Sequence, residues 1–429
     1  MRIVYSLALK PDRGLCEVLF LNHHPSLYGA TRSLVDLAVG LKRFGVESKV
    51  LSPLEGPVTS LLQPQGVEHE VIPFQWTMAP RPNSMLSRLT RATSNLRSLS
   101  ELKATARKWN PDIVYTNSSV VSVGWLLAKS IKRPHVWHLR EMGDLDYGLC
   151  HDFGSTAFRL VLRTSSAVVA NSRAVRDHVC PESIRDRVNV IYNGIAPRAR
   201  FEQLLESRQR STSEKPNFVM AGAVIPGKGQ IEAIQALSIV RAHVPDASLT
   251  IVGSSEDAYL KQCQALCAEL GLDQAVKFLG QVSDPFPFYA RACALLVCSK
   301  AEAFGRVTVE AMAAGCPVIG RASGGTLEVI EDGRTGLLFS GAFGQLAQCM
   351  LTIVRSPDRA AKMSTCAWIS ARDRFCIENY AGAVFEVLKD CLRKGSLLQP
   401  LIIDECGTVA PGPRTDKRDR MSARAWDDK

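Results

Sequence analysis

No stretch of this chain approaches 18 uninterrupted apolar residues, so the sequence offers no helix that would span a bilayer. Its 13 cysteines include no C-x-x-C pair, and its eight histidines form no cluster at metal-ligand spacing. Cys263 and Cys267 lie one helical turn apart on an apolar pattern, which fits thiols of a core and a reducing, cytoplasmic compartment. The fingerprint G-x-G-x-x-G is missing too, which argues against a dinucleotide-dependent oxidoreductase or epimerase. The opening M-R-I-V-Y-S-L-A-L-K-P-D-R is too short and too soon charged for a secretory leader. Residues 1–16 are therefore expected to be an extension ahead of the first strand. No internal repeat is evident.

What is present is length, basic charge and a regular alternation. A chain of 429 residues exceeds one ordinary core, and two domains are expected. The net charge of +10 and pI near 9.0 suit a polyanionic partner without choosing among them. Apolar strand-like runs at 18–22, 48–52, 67–73, 112–116, 135–138, 167–170 and 188–192 alternate with helical patterns such as 33–44. That pattern predicts a parallel sheet covered on both faces. A polar stretch, 201–216, reads as a linker. A second alternation follows at 218–222, 249–253, 276–279, 294–298, 317–319 and 336–339. From 394 to 429 the chain turns Pro- and charge-rich and reads as a disordered tail.

The chemistry concentrates between residues 300 and 339, K-A-E-A-F-G-R-V-T-V-E-A-M-A-A-G-C-P-V-I-G-R-A-S-G-G-T-L-E-V-I-E-D-G-R-T-G-L-L-F. Glu302 and Glu310 bracket a Phe304-Gly305 turn that opens a short apolar helix. The strand at 294–298 feeds this loop, so the helix's unpaired N–H groups face the sheet's carboxyl edge, a setting for phosphate. Carboxylates do not bind phosphate, but they accept hydrogen bonds from sugar hydroxyls. A ligand with a charged middle and hydroxylated ends, a nucleotide-sugar, suits the layout. Upstream, residues 222–229 read G-A-V-I-P-G-K-G, close to the P-loop. Gly229, however, stands where that motif needs the hydroxyl that holds Mg²⁺.

E-x7-E, followed by A-M-A-A-G-x-P-V-I, G-G-x-x-E and D-G-x-T-G, resembles the retaining glycosyltransferases of GT-B fold, family 4. The resemblance covers about residues 17–392. It implies an α/β fold of two Rossmann-like domains facing across a cleft. The acceptor-side domain would be 17–200 and the nucleotide-sugar domain 217–376, with a crossover helix at 377–393 returning to the first. It also implies roles: Glu302 on the donor sugar's hydroxyls, Glu310 on the ribose, Lys228 on the diphosphate and His138 beside the transferred sugar. Gly29, Phe304, Gly305, Arg306 and Val307 would line the donor. The chain departs from the pattern at Ala223, where relatives usually carry an arginine, and Arg306 is expected to supply the missing phosphate contact. Asn171-Ser172, Asn193-Gly194 and Gly324-Gly325 match family punctuation, the last pair expected close to the nucleotide.

No cofactor is implied beyond the nucleoside-diphosphate-sugar co-substrate, and no metal is strictly required. Asp144-Leu145-Asp146 forms a D-x-D, but a metal role there belongs to a different glycosyltransferase fold. The acceptor is expected to be lipid-linked or a glycan, in cell-surface polysaccharide or glycolipid assembly, with no nucleic acid. Residues 81–108 add a further candidate partner. Met85, Leu89, Ala92, Leu96, Leu99 and Leu102 recur at helical spacing among seven basic residues and one acid, as in helices that lie on anionic membranes. A non-catalytic relative that binds nucleotide-sugars or scaffolds a complex is the alternative reading.

Overall fold

The structure, a computed structural model, describes residues 16–210, 215–394, 402–403 and 409–410. The expectations for the 1–16 extension and the 394–429 tail fall almost wholly outside these residues. Two parallel sheets organise the rest. The first holds β1 (Cys16–Asn22), β2 (Val46–Ser52), β3 (Glu68–Val71), β5 (Ile113–Asn117), β6 (His135–Leu139), β8 (Ala167–Ala170) and β9 (Val188–Val190), in the order β3-β2-β1-β5-β6-β8-β9. A separate antiparallel ribbon, β4 (Met78–Pro80) with β7 (Leu149–His151), sits beside it. The second sheet holds β10 (Asn217–Ala221), β11 (Ser248–Val252), β12 (Val276–Phe278), β13 (Ala294–Val297), β14 (Val318–Arg321) and β15 (Leu337–Phe339), ordered β12-β11-β10-β13-β14-β15. Central strands are apolar because helices cover both faces; every residue of β1 is buried.

Each strand order reverses once, between β1 and β5 and between β10 and β13. In open α/β sheets the crevice outside the strands' carboxyl ends at such a reversal is where ligands bind. The loops after β10 and β13 are those that carry Lys228 and Glu302.

The chain crosses between the domains twice, side by side. Ile195 N–H donates to the Phe375 carbonyl at 3.0 Å, and Ile377 N–H to that of Ala196 at 2.9 Å. Gly194 is required there, since a Cβ would lie 2.7 Å from Ile377 Cα. The returning helix, Ile377–Lys394, buries Tyr380, Ala381, Val384 and Leu388 against the first domain. It lies close on the first helix, Gly29–Leu41, where a Cβ at Gly40 would come within 2.7 Å of Ile377 Cγ2.

One expectation is corrected. Within the polar stretch taken for a linker at 201–216, residues up to Gln209 belong to a helix, Arg198–Gln209, packed on the second domain. Phe201 and Leu204, one turn apart, enter that core, and Arg208 Nη1 donates to the Tyr289 carbonyl at 2.9 Å. With only three large apolar side chains on that stripe, Leu205 being the third, the surrounding charge hid the helix.

The basic segment is the helix Met85–Trp109, capped by Ser84 Oγ, which accepts from Ser87 N–H. Its expected apolar stripe divides. Leu102 packs inward, while Met85, Leu86, Leu89 and Leu96 face solvent. Arg91 is occupied, its Nε donating to Asp152 Oδ2 at 2.9 Å, and Arg88 Nε donates to the Asn83 carbonyl at 3.0 Å.

Candidate functional site

The second domain's half of the site is built by glycines. After β10 the chain turns through Gly222 (φ +129°) and a 3₁₀ turn, Pro226–Lys228, to Gly229 (φ +74°). A Cβ on Gly229 would stand 2.5 Å from the Cys298 carbonyl, so the loop can approach the end of β13 only with glycine there. This approach seats Lys228 Nζ 2.9 Å from Glu302 Oε2, with both side chains largely buried. Burial opposes a charged Lys228, but the adjacent Glu302 carboxylate outweighs it and holds its pKa above the ordinary lysine value.

The loop that carries Glu302 is clamped from below. Gly325 N–H donates to the Glu302 carbonyl at 2.7 Å. Side chains on Gly324 or Gly325 would collide with the Glu302 and Ala303 carbonyls, at 2.2 and 2.6 Å. The glycine pair thus presses on the 302–304 backbone, a role that the motif alone does not reveal. Phe304 is buried, stacked near Tyr192 (6.1 Å between centroids) and edge-on to Phe375, so it belongs to the hinge packing. Gly305, at φ +89°, caps the helix Arg306–Ala313, and Val307 packs against the second core. Gly29 starts the first helix with open space around its Cα, and the Ala223 carbonyl accepts from Gln230 Nε2 at 3.0 Å.

Arg306 does not reach toward Ala223. Its Nε donates to Glu310 Oε1 and its Nη1 to Asp36 Oδ2 of the first helix, each at 2.8 Å; Nη1 also donates to Ser33 Oγ at 3.2 Å and Nη2 to the Ile195 carbonyl at 3.4 Å. Burial raises the Asp36 pKa above its usual range, and the guanidinium partly offsets this. The other oxygen of Glu310 accepts from Tyr289 Oη at 3.4 Å. In this conformation Arg306 and Glu310 thus serve as a bridge between domains.

On the first domain, the two-residue period of β6 turns His138 with Val136 toward the crossover helix. His138 is wholly buried, its Nδ1 2.6 Å from Tyr115 Oη and its ring edge-on to Tyr380, and burial drives its pKa well below the ordinary value. It exposes no atom to a cleft. Its neighbours do more at the strand end. Arg140 Nε donates to Asn117 Oδ1 at 2.8 Å and Nη2 to Tyr380 Oη at 2.7 Å, with Asn193 as a third partner. Glu141 Oε1 accepts from both Ser118 Oγ and Ser119 Oγ at 2.6 Å. Ser118 and Ser119 were not singled out in the sequence, since a Ser-Ser pair after a strand carries no distinctive signal.

The D-x-D is consumed internally. Asp146 accepts from Met142 and Gly143 N–H, and Asp144 from His178 Nε2. Among the described residues no group of three or more His, Cys, Asp or Glu could hold a metal ion. The Asp146 carbonyl nevertheless faces Gly227 across the cleft, 3.7 Å from where its Cβ would be.

Two further contacts join the domains. Ser172 Oγ donates to the Ala303 carbonyl at 2.5 Å. Glu328, in the turn of helix Thr326–Val329, accepts from the Arg173 and Ala174 N–H groups, both at 2.8 Å, and from Tyr192 Oη at 3.0 Å.

Comparison with known proteins agrees with this architecture. Residues 28–198 match the model "Glycosyltransferase Family 4", and residues 203–367 match "Glycosyl transferases group 1". A GDP-mannose-dependent alpha-(1-6)-phosphatidylinositol monomannoside mannosyltransferase of Mycobacterium tuberculosis is 32% identical over 191 residues, 42% of this chain and 48% of that protein. A D-inositol 3-phosphate glycosyltransferase of Arthrobacter is 28% identical over 243 residues, 55% of each. The chain thus spans about half the length of these curated relatives. Among solved structures, Anabaena HepE in complex with UDP and glucose superposes with a TM-score of 0.71 at 26% identity, over 87% of this chain and 99% of that one. With both halves matched in order and both sheets in place, the chain belongs to the glycosyltransferases of GT-B fold.

Proposed function

We propose that the protein transfers a sugar from a nucleoside-diphosphate-sugar to a hydroxyl acceptor with retention of configuration. One observation carries this reading: Lys228 and Glu302 meet at the strand-order reversal, beside the Gly305 end of the Arg306 helix. In the free protein each neutralises the other. A donor diphosphate would take over the Lys228 charge, assisted by backbone N–H groups at the helix start. Glu302 would then be free to accept from hydroxyls of the sugar. Lys228 would go on to stabilise the charge that builds on the departing nucleotide. Arg306 contributes to phosphate binding only if it leaves Asp36, and Glu310 reaches a ribose only if it exchanges Arg306 for it. No step is assigned to His138. The solved relative holding UDP and the curated relative named as GDP-mannose-dependent support a nucleotide-sugar donor. In this reading the acceptor is lipid-linked or a glycan, in cell-surface polysaccharide or glycolipid assembly.

The test is a thermal-shift panel of nucleotide-sugars and nucleoside diphosphates. At a concentration of roughly 100 times Kd a true donor stabilises by about 2.7 kcal/mol. Lys228→Ala should abolish the shift. A flat panel for the wild-type protein would move the reading to a non-catalytic relative.

A further inference from the structure

The contacts around Ala303 point to a residue outside the donor-binding set. The 302–304 segment lies between two walls. One is Gly324-Gly325, which touches its backbone directly; the other is Ser172 of the first domain, whose hydroxyl donates to Ala303. Glu328 joins these walls: three residues past Gly325, its carboxylate accepts from the amides of Arg173 and Ala174, next in sequence to Ser172. Tyr192 Oη, from the hinge approach, is its third donor. We infer that Glu328 is a positioning residue, a clasp that fixes the Glu302 loop against the first domain and so couples domain closure to the donor site. The coupling to catalysis rests on the donor reading of Glu302; the clasp itself does not.

The geometry gives the inference its content. Separating the domains at this edge must break the Ser172–Ala303 bond and both amide bonds to Glu328. The loop then loses one wall while keeping its glycine clamp. The carboxylate takes two of its three donors, the Arg173 and Ala174 N–H groups, from the other domain, so those two bonds report on closure and not on the second domain's own folding. Charge-assisted bonds of this kind are roughly twice as strong as neutral ones.

Hydrogen exchange of the full-length protein, read by mass spectrometry, tests this without substrate. In Glu328→Ala the segment holding Arg173 and Ala174 should exchange at least about tenfold faster, with the strands of the second sheet unchanged. Glu328→Gln keeps one acceptor oxygen and should fall between. In the transfer assay, Glu328→Ala should lower kcat by about tenfold and leave UDP or GDP affinity within about twofold. Unchanged exchange at 173–174 in both variants would overturn the clasp. So would protection lost throughout the second domain, since that marks a role in internal stability. If wild-type protein binds none of the nucleoside diphosphates in the panel, the donor reading fails and the exchange data still decide the clasp.

Discussion

His135 illustrates how single residues set the response of this protein to acid. Its ring is fully buried, with Nε2 2.8 Å from Thr116 Oγ1 and Nδ1 3.0 Å from Ser165 Oγ. Burial, reinforced by Lys129, lowers its pKa from 6.5 to about 3. His23 falls equally far, through burial and then the neighbouring His24 and Arg140. Between those values the unfolded chain binds protons that the folded one refuses. Stability from these groups is therefore present above pH 6.5 and is lost as pH falls, by up to about 1.4 kcal/mol per pH unit for each. Urea unfolding from pH 7 to 5 should show this slope. His135→Gln should be less stable at pH 7 yet lose stability more gently below pH 6.5; an unchanged slope would mean that His135 is not the titrating group. At this scale the sequence was legible where chemistry is local. Lys228 and Glu302 sit in short motifs that the sequence displays, although neither motif announces the ion pair between them. The partner of Arg306 was not legible, because Asp36 lies 270 residues away and only the assembled hinge brings them together.

Among elements, the parallel strands were the clearest in sequence, because burial on both faces leaves continuous apolar runs. The β4–β7 ribbon was not seen: three residues a side, one of them Pro80, give no pattern to detect. The helix Arg198–Gln209 was hidden by its own charge. The helix Met85–Trp109 was legible, but not which of its cations are engaged. Arg88 and Arg91, two of the seven cations in residues 81–108, are tied to Asn83 and Asp152. The free face instead presents Met85, Leu86, Leu89 and Leu96 with Arg97, Arg107 and Lys108 exposed alongside. If this face binds anionic lipid, vesicles containing phosphatidylserine should retain the protein at low salt. Leu86→Asp with Leu89→Asp should release it without shifting the thermal midpoint, since neither side chain is buried. Equal retention of the double variant would show that this helix is not the contact.

For the whole molecule, the Asp36–Arg306–Glu310 bridge is a buried ionic triad across the hinge. Removing only its centre leaves two carboxylates with little solvent, a change that costs roughly 3–5 kcal/mol where measured in other proteins. Arg306→Ala should therefore lower the urea midpoint markedly, and Asp36→Asn should recover part of the loss by removing one stranded charge. If Arg306→Ala instead kept full stability and lost only nucleotide affinity, the guanidinium would be a phosphate ligand after all. The twin crossings have a further consequence. Because Ala196 and Cys376 are bridged neighbours, the chain leaves the first domain and re-enters it at almost the same point. In topological terms the second domain is an insert in the first, whose last helix is supplied only after the excursion ends. A module attached this way can be exchanged as a cassette. The first domain is closed by its own sequence on either side of the seam.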